Sequence, residues 1–237
     1  LINKKEIQRI KGLKFKKKRE NEGLFVVEGE KATKEFFINN FKPQKIYSTK
    51  KIANIPTTVI TSIEMKKISF LKTPSPILAV FETPKKNTII KEKGIILAID
   101  NLSDPGNMGT IIRICDWFGI TTILCNLKTV DCFNPKVVQA SIGSLARVNC
   151  FYIDLENYFR KTKKTIYGAT LDGTSVYKTK LDNNIILLLG NESHGISPQL
   201  ESFLHKKITI PRFGEIQKTE SLNVANAAAI LLSELHR

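Results

Sequence analysis

The chain has 237 residues, and 42% of them are hydrophobic, which suits one large folded domain or two modest ones and excludes a disordered chain. No apolar run reaches the roughly 18 residues that span a bilayer, and no signal-peptide pattern is present, so a cytoplasmic protein with no membrane role is expected. The formal net charge is +15, and residues 1–86 carry 20 Lys/Arg against 8 Asp/Glu, leaving 17 against 14 for the remainder. A basic excess confined to the first third attracts phosphate polyanions or an anionic surface, and points to nucleic acid. The four cysteines, Cys115, Cys125, Cys132 and Cys150, form no C-x-x-C pair, and the three histidines are scattered. Free thiols and no metal are therefore expected.

In chain order, Lys4–Arg19 holds nine basic residues and one acid, with Ile7, Ile10 and Leu13 at three-residue spacing. This predicts a basic helix with one apolar edge, and its one-signed charge favours RNA contact over a merely solvated face. Strands are expected at Leu24–Val27, Lys45–Ser48, Thr57–Ile60 and Ile77–Phe81, with helices after Glu28 and near Ile63–Phe70. That alternation describes a small α/β module. The polar, proline-bearing stretch after Glu82 reads as a linker. The expected division is residues 1–84 as a basic RNA substrate-binding domain, 85–93 as linker and 94–237 as a second domain.

The continuous apolar run from Gly94 to Asp100 predicts a strand buried on both faces of a parallel sheet. The Asp104-Pro-Gly-Asn segment reads as a turn, followed by a helix over Thr110–Phe118. Further strands are expected at Thr121–Cys125, Val148–Ile153, Thr165–Leu171, Ile185–Leu189 and Lys207–Ile210. Helices fall at Asn134–Ser141, Leu155–Lys163 and Ser197–Phe203, and a last helix, rich in alanine, opens at Ser221. The fold class is α/β, with a doubly wound parallel sheet that places ligands at the carboxyl ends of its strands.

Three strand ends carry unusual chemistry. In Asn101–Arg113, Gly106 and Gly109 permit close backbone approach, Asn107 can donate and accept, and Arg113 stands between Ile112 and Ile114. A structural ion pair of Arg113 with Asp116 or another acid is the alternative to a functional role. Neither G-x-G-x-x-G nor a Walker lysine is present, which argues against dinucleotide and nucleoside-triphosphate sites. At the second end, the apolar Leu187–Leu189 breaks at Gly190 into Asn191, Glu192, Ser193 and His194, more polar groups than a turn requires. Glu192 calls for a specific partner there, and a lone loop histidine such as His194 is ordinarily polar surface. The third end runs from Ile210 into Ser221 and Asn223, where Ser221 reads as an N-cap of a buried helix or as a functional group at its mouth.

In sequence and order these segments resemble the three motifs of the SpoU (TrmH) branch of the SPOUT RNA methyltransferases, and the likeness covers residues 95–237. Phe25–Lys31 is similar to that family's ribosomal-protein-like substrate-binding extension. Two departures stand out: Ser193 occupies a position usually held by glycine, and the Gly214–Ser221 loop is about three residues longer than in many relatives. The resemblance implies S-adenosylmethionine-dependent methylation of a ribose 2′-hydroxyl, in rRNA rather than tRNA, by a homodimer with a deep trefoil knot. It assigns Arg113, Asn107, Glu192, Ser221 and Asn223 to catalysis. Thr170, Leu188, Gly190, Asn191, Ile210 and Leu222 fall to the cofactor, and no metal is needed. Arg113 would either take the hydroxyl proton with help from an RNA phosphate or remain charged and stabilise the alkoxide. A non-catalytic RNA-binding or ribosome-assembly protein is the rival reading.

Overall fold

The computed structural model describes residues 2–52, 55–84, 90, 92–216 and 218–237. Two compact units result: Leu1–Thr88 with Asp131–Ala146, and Ile89–Val130 with Arg147–Arg237. Most of the expected linker, 85–93, lies outside the described residues. The segment 131–146, expected with the second domain, packs with the first.

The first unit contains helices α1 (Lys4–Gly12), α2 (Lys16–Glu22), α3 (Glu30–Ile38) and α4 (Ser62–Ile68), with strands β1 (Leu24–Glu28), β2 (Pro43–Ser48), β3 (Thr58–Val59) and β4 (Ile77–Glu82). The strands lie in the order β1-β4-β2-β3, with β4 antiparallel to both of its neighbours. Alternate residues of β1 serve opposite faces, as the two-residue strand period requires. Leu24 and Val26 join Ile10, Leu13, Tyr47, Met65 and Ile68 in one core. On the other face Phe25 meets Phe36, Phe41, Phe81 and Phe133, with the Phe133 ring centroid 4.6 Å away. Phe133 explains why 131–146 belongs here: its ring fills an aromatic cluster that residues 1–84 leave incomplete.

The single basic helix expected over Lys4–Arg19 is two helices broken at Leu13–Phe15, and Arg19 is a buried residue rather than a surface cation. Its guanidinium donates to the carbonyls of Leu13 and Lys14, both at 2.9 Å, and pairs with Asp131. The break leaves those carbonyls without helical partners, and the arginine satisfies them.

The second unit is a six-stranded sheet in the order β10-β8-β9-β5-β6-β7, parallel throughout. Its strands are β5 (Ile96–Ile99), β6 (Thr122–Asn126), β7 (Asn149–Ile153), β8 (Thr165–Ser175), β9 (Ile185–Leu189) and β10 (Lys206–Thr209). Both β5 and β9 are buried along their whole length, as continuous apolar runs in a parallel sheet require. The helices here are α5 (Pro105–Trp117), α7 (Leu155–Phe159), α8 (Pro198–Glu201) and α9 (Val224–Leu235), while α6 (Pro135–Ser141) lies in the first unit.

Two helix starts differ from expectation, and both matter to the site. Helix α5 begins at Pro105 rather than Thr110, because Asp104 caps it and accepts from the Asn107 N–H at 2.7 Å. What reads as a turn is the first helical turn. Helix α9 begins at Val224 with Asn223 as its cap, accepting from Ala225 N at 2.9 Å and Asn226 N at 3.3 Å. Ser221 is exposed and caps nothing. Among the described residues no helix is long and apolar enough to cross a membrane.

Candidate active site

The parallel order sets the carboxyl ends of β10, β9 and β5 near one another, with Ile210, Gly190 and Asn101 just beyond them, while Thr170 lies within β8, which runs on to Ser175. Those ends are where an open α/β sheet collects ligands.

The loop after β9 is closed on itself. Asn191 and Gly195 exchange two backbone hydrogen bonds of 2.9 Å, and Glu192, Ser193 and His194 form the exposed tip. Gly190 is required by contact: a Cβ there would lie 2.2 Å from the Gly195 carbonyl carbon and 2.4 Å from Ile196 N. Ser193 keeps a negative φ and donates its N–H to Asn191 Oδ1 at 2.9 Å, so the usual glycine is dispensable at this position. Asn191 Nδ2 donates to the carbonyl of Asn101 at 2.8 Å, tying the β9 loop to the β5 end. Asn101 itself takes a left-handed φ of 58°.

Sequence reasoning passed over Asp100. It is 1% exposed; one carboxylate oxygen accepts from Asn126 Nδ2 and the other from Ser197 N, each at 2.8 Å. It thereby fixes both the loop after β6 and the exit of the β9 loop. The available signal was a carboxylate closing an otherwise apolar strand.

Three expected residues from distant parts of the chain meet directly. Asn107 Nδ2 donates to Glu192 Oε1 at 2.9 Å, and Asn223 Nδ2 donates to Asn107 Oδ1 at 2.8 Å. Because Asn223 spends its carbonyl on the α9 cap, its NH2 must face Asn107, and the Asn107 amide is oriented in turn with its NH2 toward the carboxylate. Helix caps and polar relay are thus one construction, in which the cap residues of α5 and α9 aim the amides. Glu192, placed by the sequence at a buried strand end, is exposed and partnered.

Arg113 is not part of that relay. It lies six residues beyond Asn107 on α5, roughly 120° around the helix, is exposed, and has no hydrogen-bond or ion-pair partner among the described residues. Asp116 pairs with Arg147, whose Nε and Nη2 bond that carboxylate at 2.9 and 2.6 Å, and no ion pair of Arg113 is found among the described residues. A cation with no structural employment on a helix that opens at the strand ends is available to a ligand.

Of the residues expected at the cofactor, Leu188 sits behind the site. It is buried in the sheet between Ala98 and Gly168. Ile210 is half-buried and Leu222 is 49% exposed. Thr170 Oγ1 is buried and makes no hydrogen bond of standard geometry, although Thr170, ahead of Lys207, holds the Asp172 carboxyl below the usual range. Asn101 Oδ1 is likewise buried and unpartnered. A cavity of about 650 Å³ opens elsewhere in this unit, beside the amino ends of β5 and β6 at Gly94, Ile95 and Thr122. None of the motif residues lines it. Burial raises the Cys115 thiol well above its usual pKa, consistent with inert packing. Among the described residues no group of three or more His, Cys, Asp or Glu could hold a metal.

A parallel sheet with a relay of amides and a carboxylate beyond its carboxyl ends is an α/β ligand-binding domain, and comparison with known proteins gives its class. Residues 94–233 match the SpoU rRNA Methylase family, and residues 4–79 match the MRM3-like substrate binding domain. The chain is 30% identical, over 95% of its length and 93% of the relative's, to the 23S rRNA (guanosine(2553)-2′-O)-methyltransferase RlmP of Bacillus subtilis. A solved structure of a TrmH-family RNA methyltransferase from Porphyromonas gingivalis superposes with a TM-score of 0.88 at 37% identity, covering 99% of this chain and 98% of that one. An AdoMet-bound rRNA methyltransferase from Sinorhizobium meliloti superposes with a TM-score of 0.85 at 25% identity, covering 97% and 93%. The chain belongs to the SpoU rRNA methylase family.

The residues present fit S-adenosylmethionine. Two buried polar atoms without a hydrogen-bond partner flank β9, Asn101 Oδ1 just beyond β5 and Thr170 Oγ1 within β8, two residues past its last pairing with β9, and can take a polar ligand.

Proposed function

We propose that this protein methylates a ribose 2′-hydroxyl in ribosomal RNA with S-adenosylmethionine. The observation that carries the reading is the Glu192–Asn107–Asn223 relay, which joins all three motifs in one hydrogen-bonded unit. The cofactor supplies a methyl group already activated on a sulfonium. The chain must therefore hold the ribose in line and manage the hydroxyl proton. Asn107 and Asn223, fixed by the relay, orient the sugar together with Ser221. Arg113 offers a guanidinium with donors and no acceptor, and stabilises the developing alkoxide. Thr170, Gly190, Asn191, Ile210 and Leu222 hold the cofactor, and Leu188 supports them from the sheet.

The same reading includes a trefoil knot in the second unit, a homodimer and a cytoplasmic setting. For the dimer, Trp117 is 85% exposed at the end of α5, and Ala227, Ala229 and Ile230 of α9 are incompletely covered within one chain. The basic first unit binds the RNA, supported by its match to a substrate-binding domain and by its charge. Ribosomal RNA is favoured over tRNA because a relative that matches along nearly the whole chain is named as acting on 23S rRNA. Mapping 2′-O-methyl positions in ribosomal RNA from cells with and without the gene tests this. A site lost with the gene and regained with it is expected; an unchanged map together with a missing tRNA methyl group would overturn the substrate.

A further inference from the structure

We infer that Phe15, at the corner between α1 and α2, is a base-stacking residue for an unpaired nucleotide of the RNA substrate. This rests on the reading of the protein as an RNA-binding enzyme. The side chain is 68% exposed and is flanked by exposed Lys14, Lys16, Lys17 and Lys18. It occupies the N-cap of α2 with extended backbone and makes no capping bond. Local physics asks for Ser, Thr, Asp or Asn at that position, and a core asks for burial, so neither helix nor packing accounts for a phenylalanine. An aromatic face among cations is the arrangement that holds single-stranded nucleic acid, with the ring under a base and the amines on the phosphates.

The corner is also built to stay in place. Buried Arg19 bonds the carbonyls of Leu13 and Lys14, the two residues just before Phe15, and is itself held by Asp131. Glu20 and Glu22 pair with Lys16 and Lys18, at 3.8 and 2.7 Å, while Lys14 and Lys17 have no ion-pair partner among the described residues and remain for phosphate. The ring is thus presented from a fixed backbone, so little ordering is required when a base stacks on it.

Phe15→Ser separates the two demands, because serine is a better cap and cannot stack. In the full-length protein, binding to a short single-stranded oligoribonucleotide should weaken about tenfold, the size of one lost stacking contact, with the melting temperature unchanged or raised. Phe15→Trp should restore affinity, and binding to a perfect duplex should be the same for all three proteins. The salt dependence should keep its slope in Phe15→Ser, whereas Lys17→Gln should lower it by about 0.7, one phosphate contact on a single strand. Equal single-strand affinity for wild type and Phe15→Ser overturns the inference, as does a Phe15→Ser protein whose sole defect is a changed sedimentation coefficient, which would mark a protein contact. Absence of salt-dependent binding by the wild type would instead remove the RNA-binding reading beneath it.

Discussion

Asn223 holds two positions at once: its carbonyl caps α9 and its NH2 reaches Asn107. Substitutions can divide these tasks. Asn223→Ala should cost about 1 kcal/mol of stability through the lost cap and also reduce methyl transfer. Asn223→Ser should retain the cap and the melting temperature while still losing transfer. Full activity of the serine variant would contradict the relay. The residue types at the site were legible in the sequence, because Asn107, Glu192 and Asn223 stand where strands end. Their pairing was not, since Asn107 and Glu192 are 85 residues apart. Only parallel strand order brings them together. Asp100 stayed hidden for a related reason: its partners, Ser197 N and Asn126, are fixed by tertiary geometry. Glu28 in the first unit gives a titration test. Burial raises its carboxyl pKa, opposed by bonds from Ser69 Oγ and the Phe70 N–H. The native state therefore binds this proton more tightly than the unfolded chain. The stability contribution is fully present below the unfolded value of about 4.3 and is lost as pH rises through the raised native pKa. Melting temperatures of wild type and Glu28→Gln across the acidic range should diverge in that direction, with the wild type losing ground as pH rises.

At the scale of elements, the strands and helices follow from apolar runs and period, and their starts follow from caps. The expected turn at Asp104 became the first turn of α5 because Asp104 caps and Pro105 suits N1. The basic stretch at the N-terminus reads as one continuous helix because charge alone does not reveal a break. The break depends on Arg19 turning inward to Asp131, more than a hundred residues away. The loop after β9 is held by backbone contact, and Gly190→Ala should destabilise the protein by about 1–3 kcal/mol, the usual cost of forcing atoms into a packed space. Because that loop carries Gly190 and Asn191, both proposed to hold the cofactor, calorimetry should also show weaker S-adenosylmethionine binding. A variant with unchanged melting temperature and affinity would show that the loop yields more easily than the 2.2 Å approach indicates.

Across the whole molecule, the charge division visible in the sequence marks out the first unit, but the chain does not divide cleanly at one point. Residues 131–146 complete the first unit through Phe133 and Asp131. Deleting residues 1–84 would strip the partners of both and expose Phe133. That truncated protein should aggregate or melt at a lower temperature than the full chain, as read by sedimentation and thermal unfolding. A stable monodisperse fragment would show that 131–146 holds its conformation without them. Point changes on the basic surface are accordingly the sounder way to dissect RNA binding.

The proposed function requires Arg113 to meet an RNA ribose as the stabilising charge in methyl transfer. Arg113 is exposed and free of structural partners among the described residues, so Arg113→Ala should fold with an unchanged melting temperature. The direct measurement is transfer of labelled methyl from S-adenosylmethionine into ribosomal RNA isolated from cells lacking the gene. Wild type should label the RNA at 2′-oxygens, and Arg113→Ala should do so about 10²–10³-fold more slowly, the usual loss for one preorganised electrostatic group. Equal labelling by the two proteins would remove Arg113 from the chemistry.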